Sequence, residues 1–142
     1  VVYIETCAYL RGTLARPDVG AVRSVAETAM GRAWLGSLDK AQLKDALDAL
    51  GRERPEQMSR CVQAIQVSLA TQARRGFSVN FGDAGFGVQG VGVSSRIRQG
   101  TRFLLFNCAI PGTQLPAERL QGEVGPRLVE LVRMCERNAG IS

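Results

Sequence analysis

The 142-residue sequence contains no histidine. That absence excludes Ser-His-Asp and Cys-His nucleophilic machinery, histidine metal sites and the usual proton shuttle at neutral pH. Lysine is also scarce, with two residues against sixteen arginines. Aromatic residues make up 6% of the chain, and none interleaves with the basic residues to stack bases. No uninterrupted apolar run is longer than that of Phe103–Phe106, far short of the ~20 residues of a membrane span. It reads as a buried strand. The four cysteines, Cys7, Cys61, Cys108 and Cys135, include no C-x-x-C pair. No zinc framework is therefore expected. Each lies in an apolar pattern and reads as a buried free thiol, which fits a reducing cytoplasm. There is no internal repeat, no low-complexity linker and no G-K-[ST] phosphate loop, and the strand-like opening residues Val1–Glu5 do not read as a signal peptide.

What is present suits one domain of ordinary size with a real core. Hydrophobic residues are 45% and charged residues 22%, both usual for a globular chain. The net charge of +5 is dispersed among acidic residues. Its densest patch is Arg96, Arg98 and Arg102 about the turn at Gln99-Gly100, which reads as a solvated hairpin rim rather than a nucleic-acid surface. A chain that opens inside strand-like sequence without an initiator methionine reads as part of a longer parent.

Val1 to Thr6 is β-branched and aromatic and predicts a strand. Arg11 to Val22, with Gly12, Pro17 and Gly20, reads mostly as loop, with a short strand near Thr13–Ala15. A first helix begins either at a capping box formed by Ser24 and Glu27 or later, near Glu27 or Thr28, and runs to about Leu35. Asp39 caps a second helix carrying Leu43, Ala46, Leu47 and Leu50, which Gly51 ends. Pro55 opens a third, with the stripe Met58, Cys61, Val62, Ile65 and Leu69, stopped at Gly76. The period then becomes two. Phe77, Val79 and Phe81 alternate with polar residues, and Phe86, Val88, Val91 and Val93 continue as strands. A turn at Arg98–Thr101 forces an antiparallel return over Arg102–Ile110. Pro111-Gly112 breaks that strand. A last helix from Pro116 carries Leu120, Val124, Leu128, Leu131, Val132 and Cys135, with a kink or restart expected at Gly125-Pro126. The fold class is α+β, an antiparallel sheet covered by helices.

Gly85 to Gly90 spells G-x-G-x-x-G, but a dinucleotide site needs that loop to open a helix. Here the next residues, Val91 to Ser95, read as strand. The glycines more readily serve bulges or close approach to a ligand. Cys108 sits in an apolar strand, where burial would raise its pKa and blunt its reactivity. Asp83 reads either as a turn residue or as a ligand contact. No catalytic pair, metal set or cofactor motif emerges.

Ala26-Glu27-Thr28-Ala29-Met30-Gly31-Arg32-Ala33-Trp34-Leu35 resembles the IclR-family signature T-A-x-G-R-A-x-L. Arg74-Arg75-Gly76-Phe77-Ser78-Val79 is similar to that family's R-x-G-[YF]-[AS] element. Gly87-Val88 and the strand Phe103–Pro111 follow in the same order. The resemblance covers nearly the whole chain and implies a GAF-like or profilin-like effector-binding domain. Its implied partner is a small-molecule effector. DNA is implied only through an N-terminal winged helix-turn-helix that nothing in these residues matches. Homodimers or homotetramers, a cytoplasmic setting, no membrane contact and no catalysis are likewise implied.

Pocket residues carry over by position. Thr28, Ala29 and Met30 occupy the signature turn, whose backbone amides suit an anion. Asn80 falls where the family often has an acidic residue, and Gly90 lies on a facing strand. Asn107 and Ala109 stand where serines are frequent, on one strand face opposite Phe106 and Cys108. Asn107 reads as a ligand contact or as a satisfied core amide. Fewer acidic groups, together with Phe81, Phe86 and Trp34, imply an organic acid or aromatic effector larger than a simple keto acid. An enzyme using Cys108 or Asp83, and a pure oligomerisation domain with a vestigial pocket, are the competing readings.

Overall fold

The computed structural model describes residues 1–5, 19–82, 87–111 and 115–141. Readings that rest on Cys7, Thr13–Ala15, Asp83, Gly85 and Phe86 lie outside them.

Helix α1 spans Ala29–Leu35, α2 Lys40–Glu53 and α3 Pro55–Arg75. Strands β1 (Ser78–Asn80), β2 (Val88–Gln99) and β3 (Arg102–Pro111) form one antiparallel sheet in the order β1-β2-β3. The chain closes with a short turn α4 (Ala117–Arg119), a π-helical segment (Leu120–Val124) and α5 (Gly125–Asn138).

Local chemistry accounts for most boundaries. Of the two starts open for α1, the later one forms. Thr28 is the N-cap and its hydroxyl accepts from the Gly31 N–H at 3.0 Å. Ser24 instead holds the preceding turn, accepting from the Glu27 N–H. Asp39 and Gln42 complete a reciprocal capping box on α2. Gly51 does not end α2, which continues to Glu53. A glycine inside a helix costs only about 1 kcal/mol, and Pro55 supplies the stronger break. Gly76 takes φ 81° and closes α3.

The buried face of α3 differs from the expected stripe. Cys61, Ile65, Ser68 and Thr71 are buried, while Val62 is exposed. The two hydroxyls are tolerated because they are spent. Ser68 donates to the Val79 carbonyl at 2.6 Å, and Thr71 to the Val67 carbonyl at 2.8 Å.

Both faces of the sheet are covered. On one face Val79, Val91 and Val93 pack with Phe77, Leu120, Leu128, Val129 and Val132, and Phe106, Cys108 and Ile110 join that core. On the other lies α1. Behind it a second core joins Ala26, Leu35, Cys61 and Ile65, with α2 apolar side chains at its margin. Double coverage explains why Ser78 and Asn80 are buried along with Val79. It also limits the alternation, because the chain leaves the sheet after Asn80 and Phe81 is 38% exposed.

At Gly125-Pro126, where a kink or restart is expected, α5 begins without the chain leaving the helix. The helix widens to a π turn, in which the Gly125 N–H bonds to the Leu120 carbonyl, and α5 follows directly. Pro126 has no N–H for the next carbonyl, that of Gln121. The Arg75 guanidinium takes it at 2.6 Å while stacking 4.9 Å from the Phe77 ring centre. Gly125 is needed because a methyl group there would stand 2.5 Å from the Phe77 ring.

Val1–Glu5 does not form an extended strand. Val2 bridges Val22 alone, with Tyr3 N–H to Ala21 O and Gly20 N–H to Tyr3 O on either side. Val2, Ile4 and Val22 are all exposed, so this segment gains little apolar burial to hold a longer ladder.

Candidate functional site

The signature residues form a wedge that docks α1 on the sheet. Gly92 has no side chain, and a methyl group there would overlap the Ala29 carbonyl. Gly90 is 3.7 Å below the Ala29 Cβ, measured from the position a methyl group would take. Gly31 backs onto the Val25 backbone with the same lack of room. Ala29, Met30, Ala33 and Leu35 are buried.

Side chains then lock the wedge. Arg32, only 1% exposed, donates Nε to the Ala26 carbonyl at 2.7 Å and a terminal N–H to the Val79 carbonyl at 3.1 Å. Ser78 Oγ donates to the Ala29 carbonyl. Asn80 Nδ2 donates to the Glu27 carbonyl at 3.1 Å, and its Oδ1 accepts from the Gly82 N–H at 2.9 Å. Thr28 also donates to the Ser24 carbonyl at 2.8 Å.

The sheet register gathers the residues singled out from sequence. Asn80 pairs with Gly90 and Gly90 with Ala109, making one row across three strands. The next row is Ser78, Gly92 and Asn107. Ala29 lies over both rows, so Ala29, Met30, Thr28, Asn80, Gly90, Asn107 and Ala109 share one region on one sheet face. Their accessibility differs. Ala29, Met30, Asn80 and Gly90 are buried, Thr28 and Asn107 are half-buried, and Ala109 is exposed. The open part of the region is thus the β3 side, past the edge of α1.

Sequence reasoning passed over two residues there. Tyr3 read only as strand, yet its hydroxyl accepts from Asn107 Nδ2 at 3.2 Å. The Arg23 guanidinium lies 5.8 Å from the Tyr3 ring centre. No local signal links residues 104 positions apart.

Other groups are directed elsewhere. Cys108 faces the core with Phe106 and Ile110, and burial pushes its thiol pKa up. Among the described residues no cluster of side chains suits a metal ion. The G-x-x-G end of the glycine motif leads into strand β2, which rejects a dinucleotide loop. Trp34 sits away from Asn107, lining a hollow of ≈ 360 Å³ with Leu38, Gln42 and Phe103. A second hollow, of ≈ 540 Å³, lies between the end of α3 and α5 beside Arg75, Arg133 and Arg137. Among the described residues no helix is long and apolar enough to cross a membrane.

No protein-family model and no curated protein sequence matches the chain. Solved structures do. The chain is similar to an IclR-family transcriptional regulator from Brucella abortus at 26% identity and TM-score 0.84, over 93% of this chain and 50% of that one. It is similar to the Thermotoga maritima IclR at 19% identity and TM-score 0.71, over 98% and 56%. It also resembles the inducer-binding domain of the Acinetobacter transcription factor PobR, solved as a double mutant with 3-hydroxybenzoic acid, at 15% identity and TM-score 0.64, over 89% and 73%. The chain spans about half the length of the Brucella regulator. The chain has the fold of the C-terminal effector-binding domain of IclR-family transcriptional regulators.

Proposed function

We propose that residues 1–142 are the single sensing domain of an IclR-type bacterial transcription regulator. It binds a small effector without transforming it, and so alters DNA binding by a winged helix-turn-helix elsewhere in the parent protein. The observation that carries this reading is the position of α1. It is wedged over Gly90 and Gly92 and leaves Ala109 exposed, with Asn107 half-buried beside its edge. A ligand seated there touches both the wedge and the sheet. It influences the parent protein only through unequal affinity for two of its states.

The ligand contacts proposed are Ala109, Asn107 and the accessible part of Thr28, with Ala29, Met30, Asn80 and Gly90 as the packed floor. An organic acid or aromatic compound is the effector class; the Acinetobacter inducer-binding domain was solved with 3-hydroxybenzoic acid. A cytoplasmic homodimer or homotetramer is the working assembly, and no cofactor, metal or catalysis is part of the proposal.

Thermal unfolding of the 142-residue chain with a panel of keto acids and hydroxybenzoates tests this. A saturable rise in Tm of a few degrees is expected from at least one aromatic acid. Ala109→Trp, which fills the open side, should abolish it. A panel that shifts nothing, or shifts both proteins alike, removes the reading.

A further inference from the structure

The sensing site has a polar end whose hydrogen-bonding capacity is not spent inside the fold. Asn107 Nδ2 donates to the Tyr3 hydroxyl at 3.2 Å. Among the described residues this leaves the Tyr3 O–H free to donate and the Asn107 carbonyl oxygen free to accept. Turning the Asn107 amide over exchanges the roles but still leaves both a donor and an acceptor to spare. Asn80 contrasts with this, because both ends of its amide are taken by backbone. Arg23 adds charge. It is exposed, one terminal N–H donates to the Val22 carbonyl at 3.1 Å, and its guanidinium lies 5.8 Å from the Tyr3 ring centre.

We infer that Tyr3, Asn107 and Arg23 form a recognition element for a hydroxylated organic acid. This inference rests on the sensing role proposed above and names the effector class. The hydroxyl group, itself both donor and acceptor, matches the Tyr3–Asn107 pair. The carboxylate is drawn to Arg23, whose N–H groups suit it. The apolar body lies over Ala109. A ligand lacking the hydroxyl leaves the Tyr3–Asn107 pair unmatched, and sites built to bond a hydroxyl discriminate strongly on that basis.

Calorimetric titration with 3-hydroxybenzoate, benzoate and 3-hydroxybenzyl alcohol separates the contributions. The unmodified chain should prefer 3-hydroxybenzoate to benzoate about tenfold, the effect of one well-placed hydrogen bond. Tyr3→Phe and Asn107→Ala should each bring that ratio close to one. Arg23→Gln should weaken both acids together and remove their advantage over the alcohol. A purely structural Tyr3–Asn107 staple would lower affinity for all three probes and leave the ratios unchanged. A ratio that survives Tyr3→Phe, or an unmodified chain that binds neither acid, overturns the inference. Binding of neutral compounds that Ala109→Trp still blocks would leave the sensing role intact while this inference fell.

Discussion

The Ala29 carbonyl lies on the bare backbone of Gly92, so closely that one methyl group on Gly92 would collide with it. The signature T-A-x-G-R-A is, in this chain, first of all a docking device. Replacing Gly92 by alanine should lift α1 and cost about 1–3 kcal/mol, the usual range for overpacking. Gly90→Ala meets the Cys108 carbonyl most closely, at 3.2 Å, and the Ala29 Cβ at an ordinary 3.7 Å, and should cost less. Urea unfolding midpoints of the two variants give the comparison. Equal midpoints would mean that α1 is not seated as described.

Arg32 fastens two distant segments by backbone carbonyls. Arg32→Met removes the Nε donor to Ala26, whereas the Val79 carbonyl keeps its bond from Ser68. Among the described residues this orphans one carbonyl, which predicts a loss of about 1–3 kcal/mol. Arg32→Met combined with Ser68→Ala strips Val79 as well and should cost more than the sum of the single changes. A double-mutant cycle in denaturant measures the excess.

Glu136 of α5 holds the irregular stretch of β2. Only 5% exposed, it accepts from the Arg96 backbone N–H at 2.7 Å and from the Arg96 guanidinium at 2.9 Å. The β2–β3 register shifts between Ser94 and Arg98, and Ser95 Oγ takes the Ile97 N–H there. Burial alone would raise the Glu136 pKa, but the backbone and side-chain bonds from Arg96 and the charge of Arg96 and Arg133 together hold it below the ordinary value. A depressed folded pKa gives stability that is present above the unfolded pKa of about 4.3 and lost as pH falls through the folded value. Glu136→Gln should therefore destabilise the domain at pH 7, by about 1–3 kcal/mol. The deficit should shrink as pH falls below about 4. Unfolding curves from pH 3 to pH 7 show whether it does.

Arg75 and Pro126 are predicted to be coupled. Pro126→Ala restores an N–H where the Gln121 carbonyl lacks a partner within the helix. In that background Arg75→Met should cost less than in the unmodified chain. A coupling of about 0.5–3 kcal/mol is expected for residues joined through one acceptor. Strict additivity would mean that the Arg75–Gln121 bond does not compensate for the proline.

The parts of this fold that could be read along the chain are those governed by near neighbours. Asp39 and Gln42, three residues apart, start α2. Pro55 starts α3, and Gly76 at φ 81° stops it. The Arg98–Thr101 turn, with Gly100 at φ 61°, compels the antiparallel hairpin. Strand alternation put Asn107 and Ala109 on one sheet face, as the register shows.

What each side chain does there depended on residues far away in sequence. Asn80 and Asn107 have the same chemistry. Whether an amide is free depends on which backbone groups the tertiary fold brings to it: Glu27 and Gly82 for Asn80, but only the Tyr3 hydroxyl for Asn107. Pro126 read as a kink or restart; it lies in the first turn of α5, directly after a π turn, and Arg75 reaches the orphaned Gln121 carbonyl from another element. Local propensity and alternation act over a few residues, whereas the saturation of a hydrogen-bonding group is a property of the packed chain.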